Sequence, residues 1–180
     1  MRRVRLIAHR SSLIALLILF ACRSAPADPS AGLEAAVRGY YAGMASTDAA
    51  ENRRAMDALA VTRDDVAALL PAHVDAVWAV WGPEREQLLG AAPQHAEHFR
   101  AAQPIGTVTG TDLRASADIV LSRSIEELPA AVPVYGVTID VSGPEHQRAA
   151  GAFLFVRGRW VWMWELQRLG AIVGDPAGRS

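Results

Sequence analysis

The segment GAFLFVRGRWVWMWEL, residues 151–166, predicts a β-hairpin that is apolar on both faces. Three tryptophans stand at alternate positions, and after Arg159 no polar residue interrupts the second strand until Glu165. A sheet with one wet face alternates apolar and polar residues, and this hairpin does not. One face is therefore expected to pack against amphipathic helices, and the other against more helices, a second subunit or a ligand.

A two-residue turn at Arg157 and Gly158 sets the predicted pairing of the two strands. On one face this turn pairs Phe155 with Trp160, Phe153 with Trp162, and Gly151 with Trp164, where the glycine leaves space for the ring. On the other face it pairs Leu154 with Val161 and Ala152 with Met163. A three-residue bulged turn would shift the partners by one, but each strand would keep its division into two faces.

The strongest helical pattern begins at Ser30, which we predict to be the N-cap. Apolar residues then recur at three-four spacing and form one continuous stripe. The stripe consists of Leu33, Ala36, Val37, Tyr40, Tyr41 and Met44. We expect this helix to pack its stripe against the sheet.

Two further helices are predicted before residue 71. A more polar one starts after Thr47 or Asp48 and runs to about Ala60. The next begins at Thr62, whose side chain and that of Asp65 stand three positions apart in the arrangement of a capping box. Both predictions depend on local capping chemistry and leave the packing of the helices open.

Residues 74–104 predict several short helical pieces, because Gly82-Pro83, Gly90 and Pro93 interrupt the apolar spacing. From residue 105 onward the pattern has a period of two, and no helix of any length is expected. It predicts strands in 107–116, 117–125 and 131–141, followed by the hairpin. The predicted class is α+β, with N-terminal helices followed by a curved antiparallel sheet of about four strands.

Residues 1–21 have the layout of a signal peptide, with four arginines in the first ten positions followed by a short uncharged apolar run. This run is shorter than the roughly 20 apolar residues that a spanning helix needs. LFAC, ending at Cys22, resembles the bacterial lipobox, although Phe20 replaces the usual small residue. The alternatives are ordinary cleavage before Asp28 and an uncleaved signal anchor.

Cys22 is the sole cysteine of the chain, which favours lipidation over a role in a disulfide. The predicted organisation is a signal peptide at 1–21, a lipid anchor and tether at 22–30, one α+β domain at 31–170 and a flexible tail at 171–180. Without the leader the net charge is about −5, which argues against nucleic acid as a partner. We therefore expect an exported protein on the outer or cell membrane that faces the periplasm or exterior.

The order of these elements resembles the NTF2-like, cystatin-related group of cone-shaped α+β domains. The resemblance rests on a long first helix with GYYAG near its end, further helices and a terminal sheet closing on VRGRWVWMWEL. It implies a curved sheet that wraps the long helix, with a pocket at the open end and an outer face that often forms a dimer. The group includes isomerases, cyclases, dehydratases and domains without catalysis, so the resemblance does not select an activity.

Few residues suggest specific chemistry. Asp140 and Glu165, near strand ends, are the candidate acid-base carboxylates if a pocket desolvates either one. His95 and His98 lie three apart, but no third ligand follows at a recognisable spacing, so an exposed helix face is favoured over a metal site. We find no nucleophile elbow, phosphate loop or cofactor motif, and we predict no catalytic residue, no metal and no cofactor.

The sequence thus favours an envelope lipoprotein whose domain binds a small apolar ligand, a protein or a second copy of itself without catalysis. The alternative is a small NTF2-like enzyme that uses a pocket carboxylate. Candidate ligand-binding residues are the aromatic ones on the first helix, the later helices and the hairpin. They are Tyr40, Tyr41, Trp78, Trp160, Trp162 and Trp164. The competing interpretation is that both hairpin faces are ordinary core.

Overall fold

The computed structural model describes residues 29–115, 119–142 and 147–174. Within them, N-terminal helices precede a four-stranded antiparallel sheet that packs against the helices, which confirms the predicted α+β class. The elements are α1 Pro29–Met44, α2 Ala49–Leu59, α3 Arg63–Leu69, α4 Val74–Ala101, β1 Val108–Asp112, α5 Ile119–Glu126, β2 Val134–Asp140, β3 Gln147–Val156, β4 Arg159–Met163 and α6 Leu169–Gly174. Residues 1–28, including Cys22, and residues 175–180 lie outside the described ranges.

The first helix confirms the predicted apolar stripe. Four of its members are buried, namely Leu33, Val37, Tyr41 and Met44. The helix begins at Pro29, so Ser30 lies in the first turn and is not the predicted cap. A proline fits there because its fixed φ suits a helix and the N–H that it lacks would have no partner within the helix.

Capping side chains define the starts of α2 and α3 as predicted. Asp48 accepts a hydrogen bond from the backbone N–H of Ala50 at 2.8 Å. Thr62 and Asp65 form a complete capping box at the start of α3. These two helix starts follow from local sequence because both partners of each bond lie within three residues of one another.

The predicted breaks after residue 74 are wrong, because α4 runs without interruption for 28 residues and contains Pro83 and Pro93. Proline removes one helical hydrogen bond and crowds the preceding turn. The face that α4 buries continues across both prolines and offsets this cost. Its buried residues are Val77, Trp81, Gly82, Leu89, Ala92 and Ala96.

The strand predicted in 117–125 is also wrong, since Ile119–Glu126 forms α5. The strand predicted in 107–116 is shorter than expected and gives way to a 3-10 turn at Leu113–Ala115. A short apolar run fits either period, and burial decides between them. The adjacent residues Ser124 and Ile125 are both buried, whereas a strand would point successive side chains to opposite faces of the sheet.

The sheet has strand order β1-β2-β3-β4, and the hairpin pairing is as predicted. Arg157 and Gly158 form the turn, with φ values of 52° and 81°. The expected contact of Gly151 with Trp164 is wrong, because β4 ends at Met163 and a bulge interrupts the β2–β3 pairing beside Gly151. The ring against Gly151 is that of Trp162, which lies 2.5 Å from a Cβ built on the glycine.

Helices of the same chain cover both faces of the hairpin. On the aromatic face, Leu33, Val37 and Tyr41 of α1 join Phe153 and Trp160 in one buried cluster. On the opposite face, Leu154 and Val161 belong to a cluster contributed mainly by the remaining helices. Its helical members include Val66, Leu69, Val77, Trp81, Ile125, Leu169 and Val173. The domain thus extends past the predicted boundary at residue 170, because Val173 is part of this core.

Candidate ligand-binding site

Two of the six predicted binding residues are part of the packed core. Tyr41 and Trp160 are both more than nine-tenths buried. The Trp160 ring lies 5.3 Å from that of Phe155 and 5.7 Å from that of Tyr135, between centroids. These positions fit the competing interpretation of the sequence, in which the aromatic stripe is ordinary core.

Tyr40 and Trp162 belong to a neighbouring aromatic cluster. The Tyr40 ring centroid is 5.4 Å from Phe99, 5.7 Å from Tyr41 and 6.4 Å from Trp162. The Tyr40 hydroxyl lies 3.8 Å from the sulfur of Met56. Burial raises the pKa of Tyr40 well above its usual range, and the neighbouring Tyr41 raises that pKa further. Contacts between rings cover the aromatic surfaces of Tyr40 and Trp162, so packing explains this cluster.

Trp164 is the predicted residue that lines a groove on the sheet. The groove has a volume of about 360 Å³ and lies on the face opposite α1. Its floor comes from β1, β2 and β3, and its walls come from the chain segments that follow β1 and β4. The lining residues are Thr111, Leu113, Gly136, Val137, Thr138, Ala149, Gly151, Ala152, Met163, Trp164, Leu166 and Gln167. None of these twelve side chains carries a charge.

Small residues keep this groove open. Gly136 lies under Leu113, and a Cβ built on Gly136 would meet the Leu113 side chain at 2.9 Å. The bulge at Gly151 breaks the β2–β3 register, and β4 stops at Met163, so the first half of β3 has no partner on that side. The chain after Met163 then turns back over the sheet face and places Trp164 at the edge of the groove.

Trp164 also lines a second cleft, of about 330 Å³, together with Glu165 and His95. Its indole N–H donates to Glu84 at 3.1 Å, and Arg168 donates both to Glu84 at 2.8 Å and to Glu165. Burial alone would raise the pKa of Glu84, but hydrogen bonds from Arg168 and Trp164 outweigh it and hold that pKa below its usual value. The cleft therefore joins two residues that the sequence singled out separately, Glu165 and His95.

The remaining candidates lie apart from the groove. Asp140 accepts a hydrogen bond from Gln147 at 3.2 Å and is not among the residues that line these two clefts. The His98 ring contacts the side chain of Arg148. Trp78 lines a third, polar cleft of about 660 Å³. The six aromatic residues therefore do not converge on one cavity that holds a carboxylate.

Among residues 29–115, 119–142 and 147–174, no three His, Cys, Asp or Glu side chains are placed to hold a metal ion. The same ranges hold no helix that is both long enough and apolar enough to cross a membrane. Comparison of the chain with protein-family models, with curated proteins and with solved structures finds no match.

Sequence reasoning missed most residues of the groove. The missed signal is the low side-chain volume on neighbouring strands, with Gly136 on β2 and Ala149, Gly151 and Ala152 on β3. Small residues in strands weaken a sheet and often mark a close approach or a bulge. Their alignment across the sheet depends on register, which the β2–β3 bulge displaces.

Proposed function

We propose that this protein is an exported cell-envelope lipoprotein whose domain binds a small, uncharged, largely apolar ligand in the groove beside Trp164. The observation that carries the proposal is the uncharged lining of a walled groove. Ligand sites are typically apolar concave surfaces of about 300–1,000 Å³ with a few polar groups that fix orientation. The groove meets this description at its lower limit of size.

The polar groups of the groove indicate which functional groups the ligand carries. Thr111 and Thr138 contribute hydroxyls that both donate and accept, and Gln167 contributes an amide. Trp164 contributes a broad indole surface. A compact neutral molecule with one or two hydroxyl, carbonyl or amide groups matches this set. A charged ligand would lose its hydration without gaining an ionic partner.

Binding is favoured over the catalytic alternative because neither candidate carboxylate lies in the groove. Glu165 is ion-paired with Arg168, and Asp140 is hydrogen-bonded to Gln147. An acid-base residue must reach the reacting atom through a hydrogen bond or one water. The groove offers hydroxyls and an amide, which orient a ligand and do not titrate near neutral pH.

The membrane anchor is the second part of the proposal and rests on the sequence of the leader. Lipidation of Cys22 would place the domain at a membrane surface through the short tether that ends near residue 30. A Cys22→Ala variant should then lose its membrane association and enter the soluble fraction. Continued pelleting of that variant with membranes would contradict lipidation.

The ligand is tested by a native intact-mass spectrum of the protein isolated gently from the cells that produce it. We expect a chain beginning at Cys22 with added acyl mass and a noncovalent small-molecule passenger. Ala149→Phe should reduce the passenger because Ala149 is exposed in the groove and a phenyl ring there fills the space. Ala79→Phe, at an exposed helical position, serves as the matched control.

Three outcomes count against the proposal. A passenger retained equally by Ala149→Phe would place the ligand elsewhere. A dimer without a passenger would favour the groove face as a contact between two copies of the chain. A bare chain beginning at Asp28 would remove the lipid anchor and leave a secreted domain.

A further inference from the structure

We propose that the polar cleft beside Trp78 is a second binding site, for a small hydroxylated organic anion such as a sugar acid or a sugar phosphate. The cleft has a volume of about 660 Å³ and is formed where the hairpin turn meets α2, α3 and α4. Its lining contains one tryptophan, four arginines and three aspartates, with one threonine. These residues are Asp57, Thr62, Arg63, Asp64, Asp65, Trp78, Arg85, Arg157 and Arg159.

Two of the arginines are held in position by the protein. Arg159 donates to the carbonyl oxygen of Ala58 at 2.8 Å and forms an ion pair with Asp65. Arg85 pairs with Asp57, and its side chain is only 14% exposed. Guanidinium groups fixed in this way bind carboxylates and phosphates with little further loss of side-chain entropy.

The other two arginines form ion pairs that an incoming anion can replace. Arg63 pairs with Asp75 at 2.6 Å, and Arg157 pairs with Asp64 at 3.1 Å. The Asp75 and Asp64 side chains are 91% and 77% exposed. Exposed pairs of this kind contribute little to stability, so their loss costs little. A carboxylate or phosphate in the cleft therefore recruits these two guanidinium groups while the displaced aspartates return to water.

The carboxylates of the cleft provide acceptors for the hydroxyl groups of the ligand. Asp65 is 1% exposed, and its Oδ2 accepts from Thr62 and Arg159, whereas its Oδ1 is buried with no hydrogen-bond partner among the described residues. The Nε of Arg85 is likewise buried without a partner among them. Neither atom is in contact with solvent, so the ligand hydroxyls donate to the accessible carboxylates of Asp57 and Asp64, which are 57% and 77% exposed.

This site is independent of the neutral groove. The two share no lining residue, and their lining chemistry is opposite, since the groove is uncharged and the cleft contains seven charged side chains. Trp78 supplies the cleft with an apolar wall for the carbon skeleton of the ligand. Trp78 and Trp164 thus line two different sites.

The test is isothermal titration calorimetry of the mature domain with glucuronate and glucose 1-phosphate at millimolar concentrations. Glucose and acetate serve as controls, since each carries only half of the required chemistry. We expect either anionic sugar to bind more tightly than both controls, and binding to weaken as salt is added. Ala149→Phe, which fills the neutral groove, should leave this binding unchanged.

Two variants locate the binding. Arg157→Asn removes a rim guanidinium and places asparagine at a φ of 52°, which asparagine adopts more readily than arginine, so folding is retained. It should weaken binding about tenfold, the effect of losing one charge-assisted hydrogen bond. Arg54→Gln is the control, because Arg54 is an exposed arginine of an ion pair outside the cleft. It should bind like the parent protein.

Each contrary result would refute a stated part of the proposed site. No binding of glucuronate or glucose 1-phosphate refutes the site. Binding that is equal for Arg157→Asn, Arg63→Gln and the parent places the anion elsewhere on the surface. Equal affinity for acetate removes the role of the cleft carboxylates, and equal affinity for glucose removes the role of the guanidinium groups.

Discussion

Gly151→Ala should strongly destabilise the domain, for two separable reasons. Gly151 has φ of 102°, where an L-residue is strained at a cost of about 1–3 kcal/mol. A Cβ there would also lie 2.5 Å from the indole nitrogen of Trp162, whose ring is held between Tyr40 and Trp164. Moving that ring costs about a further 1–3 kcal/mol. The free energy of unfolding should fall by about 2–6 kcal/mol, the sum of the two contributions.

Urea unfolding followed by tryptophan fluorescence and circular dichroism measures this change. Two other glycines separate the contributions. Gly158 has φ of 81° with no atom within 4 Å of a built Cβ, so Gly158→Ala tests backbone strain without a clash. Gly90 lies in α4 with open space around it, so Gly90→Ala should stabilise the domain by about 0.5–1 kcal/mol.

A double-mutant cycle isolates the contact with the ring. Trp162→Phe shortens the side chain and removes the indole nitrogen that meets the new methyl group. Combined with Gly151→Ala, it should cost about 1–3 kcal/mol less than the sum of the two single changes. Additive costs, or equal costs for Gly151→Ala and Gly158→Ala, would refute the proposed clash and leave backbone strain alone.

Three other measurements follow from buried polar groups. Asn52→Ala should lower the free energy of unfolding by about 1–3 kcal/mol, because the buried Asn52 amide donates to three backbone carbonyls at the end of α1. Urea titration measures this change in the free energy of unfolding. Asp65→Ala should cost about 1–3 kcal/mol, because it removes the capping box of α3 and the ion pair with Arg159. Asp75→Asn, in an exposed pair, should change stability by less than about 1 kcal/mol. In an alkaline absorbance titration, Tyr40 of the folded protein should keep its proton above pH 10. Because the unfolded chain loses that proton near pH 10, the free energy of unfolding should fall as pH rises. Reversible ionisation of every tyrosine near pH 10 in the folded protein would contradict this.

Local chemistry explains the parts of the fold that sequence patterns predicted well. The hairpin register follows from Arg157 and Gly158, because a two-residue turn admits one pairing of the adjoining strands. The start of α3 follows from Thr62 and Asp65, which satisfy each other's backbone groups. In each case the interacting groups are close in the chain, so their relation is readable without the tertiary structure.

Local patterns failed where distant contacts outweigh them. Pro83 and Pro93 predict breaks, yet α4 continues because its buried face extends across both positions. Residues 117–125 carry apolar spacing that suits a strand, but packing near Ile125 selects a helix. Helical propensities are worth less than about 1 kcal/mol per ordinary residue, whereas burying one large apolar side chain contributes about 1.5–3 kcal/mol.

Residue patterns alone predict the α+β class, the apolar character of both hairpin faces and the need for a cover on each face. The folded chain shows that its own helices provide that cover. It also shows that Tyr41 and Trp160 are core, while Trp164 and Trp78 line separate clefts. Residue periodicity reports which side chains avoid water, but the groove and the cleft depend on where strands end, where a bulge shifts register and which distant charges meet.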